Sequence, residues 1–406
     1  MARLPVAPLL VLAPLLAAAV AGGLALRAGA DADADFHPWI AASPLNPVVP
    51  VRLVEYSRGG PVSVRLRGAW RVFGSDGATL LEGSELQGEL AVDELGARLG
   101  AFRFPMDSFH VETAGDAALR LGDRWYRGVL QVRVQRDRRE LPESLDLRLE
   151  VPLEDYVVGV VCGEMATVRS GVAAALRAQA IAARTYALWR LRQGRSFLYD
   201  DTRDQRFLSV DYETDAAREA VRATAGLVLS YAGELLPAYF HADCGGTTLD
   251  AAAAGFLRRP LAPLRGVIDE GCRAGRGWEE VVEAERLDRL AREQGLGAWI
   301  RGMEVTKASG GWCLEARLEG ARDTCTLRGE ELRSALRLPS SLIVSFTAQE
   351  DGSLHVRGAG RGHGVGMCQV GAARLSAAGA STADILQHYY PDAPVVSLAE
   401  LAPEER

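Results

Sequence analysis

The chain has 406 residues, 24% of them charged and 48% hydrophobic, with a formal net charge of -7 at pH 7. That length exceeds one small core and fits two or three compact units. An acidic balance with no broad basic field excludes nucleic acid or an anionic membrane surface as the main partner.

The chain opens with Arg3, an apolar run from Leu4 to Leu26 and Ala28-Gly29-Ala30. This pattern predicts a secretory signal cleaved after Ala30. The run is also near the length that spans a bilayer, so an uncleaved N-terminal membrane anchor is the competing reading of residues 1–30. Residues 31–50 are acidic and then proline-rich, the composition of an extended tether.

From 51 to 150 apolar and polar residues alternate in short runs broken by turn clusters, which predicts a mainly β subdomain with Trp125 and Tyr126 in its core. Pro152 to Val161 reads as a turn and short helix leading to Glu164, the start of a first core part over 151–278. A capping signal at Ser170 then opens an alanine-rich helix. Leu176, Ala180, Ala183, Ala187 and Leu191 recur on one face, which should be buried. Arg184 falls beside that face, so its guanidinium needs a partner. The helix is no membrane span, because Arg177, Gln179 and Arg184 are costly in lipid.

After Gly194 comes a loop rich in aspartate. Asp200, Asp201 and Asp204 lack the ligand pattern and fixed glycine of a calcium loop, so a solvated loop is expected. A helix over Asp215 to Thr224 and a strand pair around an Ala-Gly turn follow. The second strand ends in His241-Ala-Asp-Cys244-Gly245-Gly246. The paired glycines mean a tight turn or close backbone approach, and His with Cys is half of a metal site.

Residues 279–357 alternate strand-like and helix-like pieces, an inserted α+β segment without a reactive cluster. The last part, 358–395, holds the glycine-rich stretch Gly358 to Ala373 and the short helix ADILQHYY. The stretch lacks the Lys-Ser/Thr ending of a phosphate loop and the strand, glycine and distant-acid order of a dinucleotide fold. What remains is a loop packed beside a ligand groove. The six cysteines, Cys162, Cys244, Cys272, Cys313, Cys325 and Cys368, leave fifteen pairings open, with metal ligation or simple burial as alternatives.

Five stretches occurring in order, PLEDYVVGVVCGEM, ALRAQAIAARTYAL, YFHADCGGTT, GRGHGVGMCQVGAARLSAAG and ADILQHYYP, resemble the motifs of the SpoIID/LytB family. The resemblance runs from about Trp125 to Pro391. It implies an α+β fold: a SpoIID-like catalytic core, here with a mainly β N-terminal subdomain and an inserted α+β segment. Enzymatic members are lytic transglycosylases, which cleave peptidoglycan glycan between N-acetylmuramic acid and N-acetylglucosamine and leave a 1,6-anhydro end. On that resemblance Glu164 is the catalytic acid/base. One carboxyl suffices where most glycosidases need two, because the muramic 6-hydroxyl replaces water as nucleophile. The apolar neighbours Val160, Val161 and Met165 should raise its pKa.

The resemblance further implies that Arg177, Arg184, Tyr186, Gly245, Gly246, His363 and Gln369 serve the substrate site. It requires no cofactor but admits zinc, as in some relatives, through His241, Cys244 and Cys272, with a Cys244–Cys272 disulfide as the alternative. The strand-end motif at 241–246 and the glycine loop at 360–371 should then lie beside Glu164. The sequence departs from the family pattern at Arg177 (usually lysine), Cys368 (serine), Val370 (tryptophan) and Cys162, and in a longer segment between glutamate and helix. The expected partners are glycan strands, those stripped of peptide above all. The rival reading, from the enhancer branch, is a non-catalytic wall-binding protein that stimulates a cell-wall amidase.

Overall fold

The computed structural model describes residues 43, 46–57, 59–114, 119–165, 171–272 and 277–401. The expected signal or anchor, the tether as far as residue 42 and the cap at Ser170 lie outside the described residues. The fold is α+β, with seven α-helices among the described residues and strands in several sheets. None of the described helices is long and apolar enough to cross a membrane.

Among the described residues, every regular element between Val48 and Pro152 is a strand. Alternation explains it: in Val62–Gly74, residues Val62, Val64, Leu66, Trp70 and Val72 are buried while Ser63, Arg65 and Arg67 face out. The first strand, Val48–Arg52, begins inside the stretch read as a tether. It pairs antiparallel with Arg148–Pro152 because Val49 and Val51 alternate inward. Tyr126 is in the core as expected, but Trp125 is half-buried beneath the Arg67 guanidinium, 4.2 Å from the ring centre.

Strand Pro142–Pro152 runs straight into α1 (Leu153–Glu164), whose first turn carries Glu154 and Asp155 at the favourable end of the helix dipole. The long helix α2 (Ala173–Arg192) follows, then α3 (Asp215–Arg222). Residues 277–359 form strands with α4 (Ala284–Glu293) and α5 (Gly329–Leu336) around a separate core that includes Leu290, Leu318, Leu332 and Val356. This part is joined to the rest through Trp312, whose indole N–H donates to the Thr247 carbonyl at 2.8 Å. The chain returns as α6 (Gln369–Ala377) and α7 (Thr382–Tyr389).

One buried face was expected on α2; instead it is buried all round from Ala175 to Leu188, Arg177 excepted. It runs through the middle of the core, packed by α1, α3, α6, α7 and strand Leu227–Tyr231. Alanine at 175, 178, 180, 182, 183 and 187 makes this crowding sterically feasible. Small side chains round most of its circumference suit this helix to an interior.

Candidate functional site

Glu164 is the last residue of α1, where the helix dipole disfavours a negative charge. Gly163 before it lets the loop after α2 approach: a Cβ there would stand 2.1 Å from the Arg206 carbonyl oxygen. The Arg206 backbone N–H thereby donates to Glu164 Oε1 at 2.7 Å. From the other side Gln369 Nε2 donates to Glu164 Oε2 at 3.2 Å and reaches Gln179 Oε1 at 3.4 Å. One half-buried carboxyl thus holds together α1, α2, α6 and the 198–212 loop. Burial raises its pKa above the ordinary carboxyl value, while the Arg206 N–H, Gln369 and the Arg206 charge pull it partly back.

Gln369 is placed by a second cluster. Strand Phe240–His241 pairs in parallel with Met367–Cys368, and Cys368 then caps α6, its Sγ accepting from Gly371 N at 3.3 Å. Gly366 permits this pairing, since a Cβ there would fall 1.9 Å from the Tyr239 carbonyl oxygen. The ligand-capable atoms of Cys244, Asp269, Cys272 and Cys368 all lie within 4.8 Å of one another, and all four residues are buried. Cys272 and Cys368 Sγ are 3.5 Å apart; Cys244 Sγ donates to Asp269 Oδ2 at 3.4 Å. Backbone N–H groups of Cys244 and Gly246 point at Cys368 and Cys244 sulfur. Hydrogen bonds from the Cys244 and Cys272 thiols hold the Cys368 thiol below the usual thiol range. Tyr389 donates to Asp269 Oδ2 at 2.6 Å.

Three sulfurs and one carboxylate suit zinc: a tetrahedral site with Zn–S of about 2.3 Å sets sulfurs roughly 3.8 Å apart, close to this spacing. The residues that can hold the ion are therefore Cys244, Asp269, Cys272 and Cys368. This corrects the expected His241, Cys244 and Cys272 set. His241 does not belong to this group of mutually close ligand atoms; its Nδ1 lies 3.1 Å from the Val365 carbonyl. The alternative disulfide is not formed; all six cysteines are free.

Other expected site residues serve packing. Arg184 is wholly buried, its Nε and Nη2 on the Glu154 carboxylate at 2.9 and 2.5 Å and its Nη1 on the Leu227 carbonyl at 3.1 Å. Its partner is protein, so it orients α1 and not a sugar. Tyr186 is buried among Trp189, Tyr239 and Phe240. His363 lies against Phe256, Tyr239 and His241, and its Nδ1 accepts the Val365 N–H at 3.1 Å. Gly245 and Gly246 have φ of +60° and +113° and form the turn under the thiols, their N–H groups on Asp243 Oδ1 and Cys244 Sγ. Arg177 lies half-buried with Ala216 and Glu219 of α3 along a cleft. Gln369 alone of these seven bonds Glu164.

The sequence reading missed Arg206, Gln179, Asp269 and Cys368. A polar Gln179 within an apolar helix was the clearest available signal. The aspartate loop is not the solvated loop expected either: Asp204 is buried on Arg190 Nη2 at 2.9 Å, Gln205 is buried, and the loop seats on the end of α1.

The family model described as SpoIID, Stage II sporulation protein, matches residues 143–231, which hold α1, α2 and the loop after α2 that carries Arg206. The chain is similar to Stage II sporulation protein D of Bacillus subtilis (strain 168), 30% identical over 262 residues, 59% of this chain and 73% of the relative. It is similar to Stage II sporulation protein D of Bacillus amyloliquefaciens, 28% identical over 267 residues, with 59% and 73% covered. A more distant likeness is to the amidase enhancer of Bacillus subtilis (strain 168), 24% identical over 276 residues, 55% of this chain and 38% of that one.

Proposed function

The chain belongs to the SpoIID/LytB family, and from that premise we propose that it works outside the cytoplasm on the cell wall as a lytic transglycosylase. The observation that carries this reading is Glu164: a single half-buried carboxyl with raised pKa, held from two sides by a backbone N–H and an amide. Protonated, it gives its proton to the glycosidic oxygen as that bond breaks. As carboxylate, it takes the proton of the muramic 6-hydroxyl while that oxygen closes on C1. The two transfers balance, so the carboxyl returns to its starting state and no second acid is needed. Gln369 and the Arg206 N–H hold both carboxyl oxygens in place.

Zinc fits Cys244, Asp269, Cys272 and Cys368 as a structural ion, because all four positions are filled by protein and none is left for water or substrate. Bound there it ties together the 240–246 turn, the 269–272 turn and the start of α6. Through Cys368 it would fix Gln369, the next residue. We expect about one zinc per chain in protein prepared without added chelator, and with cobalt in its place the intense sulfur-to-metal absorption of thiolate ligation. Cys368→Ser should lose both; a variant that keeps full zinc would exclude Cys368 as a ligand.

A second reading is favoured by the likeness to an amidase enhancer: a wall-binding protein that stimulates a partner amidase. Incubating purified protein with peptidoglycan separates the two. Anhydromuramyl ends released by the protein alone support the enzyme. Stem peptides released only after an amidase is added support the enhancer.

A further inference from the structure

One outward face of the β subdomain gathers arginines that no carboxylate meets. Strand pairing sets a row across it: Gln87 stands opposite Arg65, Arg65 opposite Arg120, and Arg120 opposite Trp125, with Arg67 on the same face of the Arg65 strand. Arg67 lies over the Trp125 ring, 4.2 Å from its centre, and Arg120 lies 5.7 Å from it. Among the described residues, Arg65, Arg67 and Arg120 form no hydrogen bond or ion pair. Glu85 stands across from Arg67, yet Arg67 is turned onto the indole instead. Elsewhere in this subdomain the cations are neutralised, with Arg52 and Arg148 on Asp146, Arg71 on Glu112 and Arg103 on Asp93. Carboxylates are not scarce in a chain of net charge -7. Like charges facing each other on adjacent strands repel, so the Arg65–Arg120 pair is unfavourable as it stands. The Nε of Arg120 is also buried without a partner, which withdraws part of its charge from water and puts no counter-charge in its place.

An anion laid along the row relieves both penalties. Stacking on an indole uses the face of a guanidinium and leaves its in-plane N–H groups free to fork onto an oxyanion. The surroundings narrow what that anion is. Exposed acids flank the row, Glu85 beside Arg67 and Asp123 in the turn between the Arg120 and Trp125 strands, so a broad anionic surface such as a bilayer meets repulsion that a single chain avoids. The Trp125 ring already carries Arg67 and is no open platform for the base stacking that binds single-stranded nucleic acid. Facing residues on adjacent strands are only about 5 Å apart at Cβ, which suits a chain with one anion per short unit better than a glycan whose carboxylates are separated by whole sugars. We propose that Arg65, Arg67 and Arg120, with Gln87 as a further hydrogen-bonding group, bind a linear phosphodiester-linked polyol chain. This ligand differs from the glycan assigned to Glu164, and its binding does not depend on the cleavage reading.

The test is calorimetric titration of the full-length protein with poly(glycerol phosphate). The parent should bind, and its affinity should fall as salt rises because the cations lie at the surface. Arg65→Gln, Arg67→Gln and Arg120→Gln combined should weaken binding roughly tenfold or more, through loss of charge-assisted contacts to phosphate. A charge-matched control, Arg133→Gln with Arg138→Gln and Arg139→Gln, removes the same charge from other exposed positions of the subdomain and should change affinity little. A parent that does not bind, or an equal loss in the two combinations, would overturn the proposal. Single-stranded DNA or vesicles of anionic lipid that bind the parent as tightly as the polymer, with the same dependence on these arginines, would overturn it too. Arg65→Gln with Arg120→Gln guards against loss of fold, since it keeps Arg67 on the indole. Without polymer this pair should melt no lower than the parent, because it removes repulsion between facing strands. If the pair then binds poly(glycerol phosphate) as tightly as the parent, the proposal is defeated.

Discussion

Glu164→Gln is expected to cut release of anhydro ends by about 10²- to 10⁴-fold, the usual share of a general acid or base, while leaving the fold and strand binding in place. The amide keeps an oxygen to accept the Arg206 N–H, and Gln369 can turn its own amide to meet the new NH₂. What it cannot do is exchange a proton. A rate within a few-fold of the parent, measured on the same strands, would remove Glu164 from the chemistry. The pH dependence follows from the direction of the shift. Glu164 is raised by burial, so the acid form persists above the ordinary carboxyl range, and the rate should fall as pH rises through that raised value. Removing the Arg206 charge, which favours the carboxylate, should move that limb to higher pH. Stability has the matching sign: a carboxyl whose folded pKa is raised costs stability once pH passes its unfolded value, with the full cost above its folded value. Glu164→Gln should therefore gain on the parent in urea melts as pH rises through that window.

How much could be read from the sequence depended on how local each signal was. Period-two alternation in runs such as Val62–Phe73 was enough for a β region, because each strand carries its own inward face. The helical period of α2 was equally local. Its all-round burial was not, since that depends on α6 and α7, some 180 residues later, closing over it. Arg184 was correctly read as needing a partner, but Glu154 sits 30 residues away on another helix, and with that partner satisfied the arginine has nothing left for a sugar. The thiol cluster fails to announce itself for the same reason. Cys244, Asp269, Cys272 and Cys368 come from three separate turns, and His241, nearest in sequence to Cys244, is turned by strand geometry toward the Val365 carbonyl. Arg206 had no sequence signal because its contact with Glu164 is made by backbone, which any residue type supplies.

The buried ion pair between Arg184 and Glu154 carries the largest expected stability effect. Glu154→Ala would leave a fully buried guanidinium with only the carbonyls of Leu227 and Ala180. Breaking such a pair from one side costs about 3–5 kcal/mol; the lower end applies here because the Glu154 side chain is 23% exposed and water can partly replace it. The loss should appear as a lower urea midpoint with unchanged slope. The paired replacement Glu154→Leu with Arg184→Met should recover most of it, since apolar side chains of similar volume often match or exceed a buried ion pair. The carboxylate also accepts the Gly226 N–H at 3.2 Å, so the double variant leaves that one donor to find water. Because Glu154 lies in the first turn of the helix that ends in Glu164, the single variant should also lose activity at temperatures below its melt, through displacement of α1. Recovery of stability without activity in the double variant would mean that the ion pair sets the position of α1 as well as its stability. A single variant within about 0.5 kcal/mol of the parent, the range of ordinary surface substitutions, would show that the buried guanidinium finds another partner.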